Sequence, residues 1–304
     1  MSYQWHTSSA FSTVNRLAQV FSNKRTLDFM TRRRIVILTG DELRHRYFTR
    51  KLAHDGRFDV VLAVCEGAEK GLAARLSRDP DASGLQVRHA SARQRAEEDF
   101  FAETVEHLPE AEQVLRVPKG DVNTEMVVSR IREAEPDLLV CYGASLVRGT
   151  LLDRFDGRFL NVHLGLSPWY RGSGTNIWPL IEGQPHMVGA TFMQIDAGID
   201  TGPVLHQIRA ELALGDSPHS IGNRLIRQMT QVYADLIAAF DRVTVPDPVQ
   251  VEGRLYRNAD FDAQACRALY DQFDSGLIER ALDDPGTDWP VLVENPALGE
   301  GQGA

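Results

Sequence analysis

Apolar residues along this chain come in short unbroken runs, and the stretches between them carry apolar positions at helical spacing. Arg34-Ile35-Val36-Ile37-Leu38-Thr39-Gly40 has the pattern of a buried strand ending at a glycine, and Glu42 to Ala53 after it has the spacing of a helix. Phe58 to Val64 predicts a second strand, Gln113 to Val117 a short third and Asp137 to Gly143 a fourth. Between them, helical stretches are expected around Glu69 to Arg78, over Ala92 to Leu108 and over Asn123 to Glu133. Continuous apolar strands alternating with helices predict an α/β fold: a Rossmann-like, mostly parallel sheet with helices on both faces. Ligands of such sheets sit beyond the carboxyl ends of the strands.

The pattern continues with Phe159 to His163 as a short strand. Alternate side chains of a strand share a face, so Asn161 and His163 point the same way. That strand breaks at Gly165 and Pro168 into a loop, where binding and catalytic groups concentrate. Val188 to Ile195 reads as the next strand, and Gly198 and Gly202 in its exit loop permit a tight turn around Asp200. A helix follows Ser217 and runs to about Phe240, with Ile221, Leu225, Met229, Val232, Leu236 and Ile237 on one stripe. Val245-Pro246-Asp247-Pro248 then marks a boundary. Beyond it, Gln250 to Tyr256 is expected to form a strand or hairpin, and Cys266, Leu269, Tyr270, Phe273 and Leu277 one helical face. The glycine-rich end from Gly299 is expected to fray. Near the start, Phe11, Val14, Leu17, Val20 and Phe21 recur at helical spacing before a basic run ending at Arg34. The expected organisation is an N-terminal helical extension (1–33), a catalytic domain (34–240) and a short acidic C-terminal appendage (241–304).

Composition narrows the function. A chain of 304 residues can bury a full core, and its net charge of -9 argues against an extensive nucleic-acid surface, which needs clustered Lys and Arg. The segment from Asp241 on is itself acidic, with 5 basic against 13 acidic residues. Cys65, Cys141 and Cys266 lie far apart in mostly apolar contexts without metal-ligand spacing, as expected of reduced core residues in the cytoplasm. No apolar run reaches the roughly 18 to 20 residues of a membrane span, and no secretory hydrophobic region is present near Met1. The amphipathic N-terminal stretch is expected to pack on the body or on a second subunit of a homo-oligomer; attachment to a membrane surface is the other reading.

Candidate chemistry centres on Asn161-Val162-His163, the loop Gly165-Leu166-Ser167-Pro168-Trp169-Tyr170-Arg171-Gly172, and Asp196-Ala197-Gly198-Ile199-Asp200-Thr201-Gly202. Together these resemble the active-site signature of the formyltransferase family, which includes glycinamide ribonucleotide, methionyl-tRNA and amino-sugar formyltransferases and the formyltetrahydrofolate hydrolases. In that family an Asn, a His two residues later and an Asp in a D-x-G-type loop form the catalytic set, matched here by Asn161, His163 and Asp200. The family's S-L-L-P turn appears as Gly165-Leu166-Ser167-Pro168, a departure that keeps the proline, and its R/K-G as Arg171-Gly172. The resemblance covers roughly Arg34 to Phe240 and is strongest from Pro136 to Leu212.

The resemblance implies transfer of a formyl group from 10-formyltetrahydrofolate to a primary amine, through a tetrahedral intermediate and without a metal. Asn161 would stabilise the oxyanion, because an amide donates a hydrogen bond without changing charge. His163 would add a second hydrogen bond and carry a proton. Asp200 would orient the imidazole and accept the amine proton, directly or through water. The folate is expected against Ala144, Leu146 and Val147, with polar contacts from the backbone at Arg148, Asp196 and Ile199. For the acceptor, Arg44 and Arg46 beyond the first strand, and Arg171, are candidate anion contacts. Trp169, Tyr170 and Trp178 could form an aromatic wall or simply core.

An acidic tail disfavours a tRNA acceptor, since methionyl-tRNA enzymes grip nucleic acid with a basic C-terminal barrel. A small-molecule acceptor, foremost an amino sugar nucleotide, is the leading expectation. A hydrolase using the same three residues, another amine such as glycinamide ribonucleotide, and a folate-binding protein without catalysis are the alternatives. Zinc on His163, Asp200, His186 or His206 is a further reading, but no compact metal motif accompanies it.

Overall fold

The computed structural model describes residues 32–67, 76, 78–79, 82–284 and 288–299. The expected N-terminal helix and most of the helical stretch at Glu69 to Arg78 lie outside the described residues. From Arg33 onward the described residues belong to one compact unit.

Its centre is a seven-stranded sheet in the order β3-β2-β1-β4-β5-β7-β8. The strands are β1 (Arg33–Gly40), β2 (Phe58–Glu66), β3 (Val114–Val117), β4 (Leu138–Tyr142), β5 (Phe159–His163), β7 (Gly189–Gln194) and β8 (Val204–Arg209). β3 to β5 pair in parallel, and β7 and β8 close one side as antiparallel strands. β8 has no counterpart in the sequence reading. Its alternation of half-buried and buried positions suits an edge strand better than the unbroken apolar runs of the centre.

Helices cover both faces, which is why the central strands are apolar throughout. In β1, Ile35, Val36, Ile37 and Leu38 are all inaccessible to solvent. Ile35 and Ile37 join one cluster with Phe48 and Leu52 of α1 (Leu43–Ala53), Phe101 of α2 (Gly84–His107), and Leu225, Met229 and Tyr233 of a long helix at Pro218–Ala238. Val36 and Leu38 join the other with Val127, Val128 and Ile131 of α3 (Glu125–Glu133) and Leu151 of α4 (Thr150–Arg154). α2 begins at Gly84 rather than Ala92. Ser83 caps it, its side chain accepting from the Gln86 N–H at 3.2 Å while Gln86 accepts from the Ser83 N–H at 3.0 Å. That polar capping box outweighs the weak apolar periodicity of the first turns.

α5 (Trp178–Ile181) follows the loop after β5, and the long helix Pro218–Ala238 is α6. The chain beyond Asp241 is tied to this body. β9 (Arg254–Tyr256) pairs in parallel with β6 (Tyr170–Gly172). Leu269 of α7 (Ala263–Asp274) and Leu277 and Ile278 of α8 (Leu277–Asp283) enter the main apolar cluster.

Candidate active site

A cavity of about 790 Å³ opens where β1, β4 and β5 end, and Asn161, His163 and Asp200 all line it. β5 supplies the first two from one face, and the loop after β7 brings the carboxylate. Asp200 sits in left-handed backbone at φ 51°, and its Oδ2 lies 3.3 Å from Nδ1 of His163. The same oxygen accepts a hydrogen bond from the Gly172 N–H at 2.8 Å. On the other edge of the imidazole, Nε2 lies 3.0 Å from the Tyr170 carbonyl and 3.2 Å from Oγ1 of Thr175. The carbonyl can only accept, and the Thr175 hydroxyl already donates to the Leu164 carbonyl at 2.7 Å, so Nε2 carries the hydrogen. A proton on Nδ1 is then what makes the contact with Asp200 attractive.

Both ring nitrogens are therefore engaged within the protein, whereas a direct hydrogen bond from His163 to the reacting group was expected. Among the described residues the Asn161 amide has no hydrogen-bond partner.

A two-stranded sheet holds this arrangement. β6 offers the Tyr170 carbonyl to His163 and the Gly172 N–H to Asp200, and β9 from the C-terminal segment fixes β6 in register. Gly172 is at φ 92°, and a Cβ there would fall 2.1 Å from the Tyr256 carbonyl oxygen. Only glycine fits that approach. The loop before β6 is braced by Thr191, whose hydroxyl donates to the Gly165 carbonyl at 2.7 Å and accepts from the Ser167 N–H at 2.9 Å.

Of the residues expected around the folate, Ala144, Leu146, Val147, Asp196 and Ile199 line the cavity and Arg148 does not. The Arg148 N–H is already donated to Oδ1 of Asn123 at 2.7 Å, so it is not available to a ligand. Leu146 and Ile199 are 37% and 42% exposed, an apolar pair left open beside the polar groups. The loop's position depends on Glu66, which the sequence reading passed over. At the end of β2 its carboxylate is 4% exposed and accepts from the N–H groups of Gly120 (2.8 Å), Val122 (3.3 Å) and Ser145 (2.5 Å). A charge closing an apolar strand was the available signal.

The expected anion contacts are not brought together. Arg44 lines the cavity but is held by Glu42 and, at 2.8 Å, by Glu97. Arg46 is absent from the lining; it points out on the exposed side of α1 and pairs with Asp41 at 2.9 Å. Arg171 is also off the cavity, because alternation along β6 turns it away from the face that serves Asp200. Between Arg44 and Arg46, His45 is buried against Gly40 and Gly143, and burial with the cations of Arg44, Arg93 and Lys119 pushes it well below its ordinary value. Its Nδ1 accepts from the Glu42 N–H at 3.3 Å.

Trp169, Tyr170 and Trp178 do not wall the cavity. Trp178 stacks on Tyr256 at 4.6 Å within a satellite core that includes Leu166 and Tyr170 and against which Trp169 packs. His186 stacks on Trp289, and His206 accepts from the Asn295 N–H at 3.2 Å, both away from His163 and Asp200.

Known proteins resemble this chain in sequence and in fold. Two methionyl-tRNA formyltransferases are similar over about 160 residues: that of Trichlorobacter lovleyi at 32% identity, covering 52% of this chain and 47% of its own, and that of Geobacter metallireducens at 33%, covering 52% and 48%. The alignments thus span about half the length of these relatives. The crystal structure of a phosphoribosylglycinamide formyltransferase from Anaplasma phagocytophilum superposes with a TM-score of 0.51 at 17% identity, over 75% of this chain and 100% of that one, a likeness of fold. Residues 33–237 match the family model described as formyl transferase, a span holding the sheet, Asn161, His163 and Asp200, and the chain belongs to that family.

Proposed function

We propose that the protein transfers the formyl group of 10-formyltetrahydrofolate to a primary amine of a small molecule. The observation that carries this reading is the unengaged Asn161 amide beside the His163–Asp200 pair, in one cavity with the open apolar residues Leu146 and Ile199. Those residues suit a flat, largely apolar ring system flanked by polar groups. The folate supplies an activated formyl carbon.

Asn161 donates to the formyl oxygen as negative charge develops there, which favours the transition state over the ground state. The attacking amine forms the new C–N bond and gives up one proton, which Asp200 takes directly or through water. The leaving folate nitrogen gains one proton, returned from the His163–Asp200 edge. Protons balance without a covalent enzyme intermediate. His163 acts through Asp200, because its own nitrogens face Asp200, Tyr170 and Thr175.

For the acceptor we favour an amino sugar. The nucleotide part of that expectation loses its anchors, since Arg46 and Arg171 are off the cavity and Arg44 is neutralised by Glu42 and Glu97. The relatives' tRNA substrate is not carried over, because the segment beyond Asp241 is acidic.

The test is spectroscopic release of tetrahydrofolate from 10-formyltetrahydrofolate, with and without a panel of amines. Amine-dependent release is expected. Equal release without amine would make the protein a hydrolase, and folate binding without turnover would make it a binding protein.

A further inference from the structure

Besides the His163–Asp200 pair, the cavity is walled by residues of α2 and α6 and by Tyr142 at the tip of β4. Three polar side chains there are more than nine-tenths buried and have no hydrogen-bond partner among the described residues: the Tyr142 hydroxyl (3% exposed), Nε2 of His219 (8%) and Nδ2 of Asn223 (5%). His219 and Asn223 stand four residues apart on one face of α6. Buried polar groups without partners are rare because each loses its water for nothing. Three lining one cavity are explained by a ligand that completes them.

The chemistry of these groups is neutral. Burial, with His89 and Arg93 nearby, pushes His219 down to about 3, and burial and Arg93 push His89 down to about 4. Burial raises the Tyr142 phenol, so it stays a hydroxyl. Of the cavity's cations, Arg44 and Arg93 are engaged by Glu97 at 2.8 and 3.1 Å, and Lys119 is solvent-exposed. The His89 ring is bonded through Nδ1 to the Tyr270 hydroxyl at 3.2 Å and packs against His219 at 4.6 Å and Phe261 at 5.1 Å. Aromatic faces beside a hydroxyl, a neutral imidazole and an amide fit a ring that is apolar above and below and hydroxylated at its edge.

We propose that Tyr142, His219 and Asn223 form the acceptor subsite, and that it takes the hydroxylated ring of an uncharged amino pyranoside rather than a phosphate. This rests on the formyl-transfer reading above and names its substrate class. The three residues would meet the ring and not the reacting carbon, so losing them should raise KM more than it lowers kcat.

The experiment measures kinetics on a panel of amino pyranosides differing in amine position, with cyclohexylamine and aminoethyl phosphate as comparators. Tyr142→Phe, His219→Phe and Asn223→Ala are compared with the wild type. The best pyranoside should exceed both comparators by about a hundredfold in kcat/KM, and each variant should raise its KM by about tenfold, the worth of one hydrogen bond. Tetrahydrofolate affinity should not change. Tyr142→Phe should also unfold no earlier than the wild type without ligand, since it removes an orphaned hydroxyl. Preference for aminoethyl phosphate or cyclohexylamine would overturn the subsite while leaving formyl transfer standing, as would wild-type KM in all three variants. If the wild type shows no amine-dependent turnover, formyl transfer falls, and calorimetric binding of the same pyranosides without folate still decides the subsite: binding weakened by the three substitutions upholds it, and no binding overturns it.

Discussion

Replacing Glu66 by Gln should loosen the loop that lines the cavity while leaving its shape almost unchanged. The carboxylate is 4% exposed and receives three N–H groups, from Gly120 at 2.8 Å, Val122 at 3.3 Å and Ser145 at 2.5 Å. A glutamine whose carbonyl keeps Gly120 and Val122 must turn its NH2 towards the Ser145 N–H, donor against donor. The bond to Ser145 is lost and the other two lose their charge assistance. With hydrogen bonds to charged groups contributing about 1.5 to 3 kcal/mol, and the 3.3 Å contact counted as weak, the expected loss is about 2 to 4 kcal/mol. Urea unfolding followed by tryptophan fluorescence and circular dichroism measures it. Because Ser145 belongs to the loop carrying Ala144, Leu146 and Val147, tetrahydrofolate affinity measured by calorimetry should fall about tenfold or more. Stability within about 0.5 kcal/mol of the wild type, together with unchanged affinity, would refute the role given to Glu66.

Three further outcomes are expected. Gly172→Ala combines left-handed backbone, which costs about 1 to 3 kcal/mol for other residues, with a Cβ 2.1 Å from the Tyr256 carbonyl; turnover should fall with secondary structure retained, and normal turnover would sever β6 from the positioning of Asp200. Asp200→Asn and Asn161→Ala should each lower kcat by about 100-fold or more, with tetrahydrofolate affinity nearly unchanged; an effect on folate binding alone would assign them another role. His89 and His219, ordinarily near 6.5, are lowered to about 4 and about 3 in the folded protein, so the unfolded chain binds the extra protons first. Their contribution to stability is complete above pH of about 6.5 and is lost as pH falls to about 4 for His89 and about 3 for His219, at up to about 1.4 kcal/mol per pH unit for each ring. His45, also lowered, acts in the same direction. Urea unfolding at pH values across that window should show a steep decline that a His89→Gln, His219→Gln double variant flattens, and equal slopes would refute the assignment.

Residue order alone sets the parallel centre of the sheet and the pair on β5. Strands buried on both faces are apolar along their central positions, so β1, β2 and β4 are legible as runs, and the two-residue period of a strand places Asn161 and His163 on one face. Local chemistry of this kind depends only on neighbours in the chain. Where distant segments meet was decided by the tertiary structure. Arg44 and Arg46 look alike in sequence, yet helix geometry gives one to Glu97 in the cavity and the other to Asp41 outside it. The Gly172 N–H reaches Asp200 because a strand from beyond Pro248 pairs with β6, and no short-range pattern announces that parallel pairing. Tyr142, His219 and Asn223 are separately unremarkable as a strand-end tyrosine and two helix positions. Packing α6 across the ends of the strands buries all three on one cavity and leaves each without a partner among the described residues.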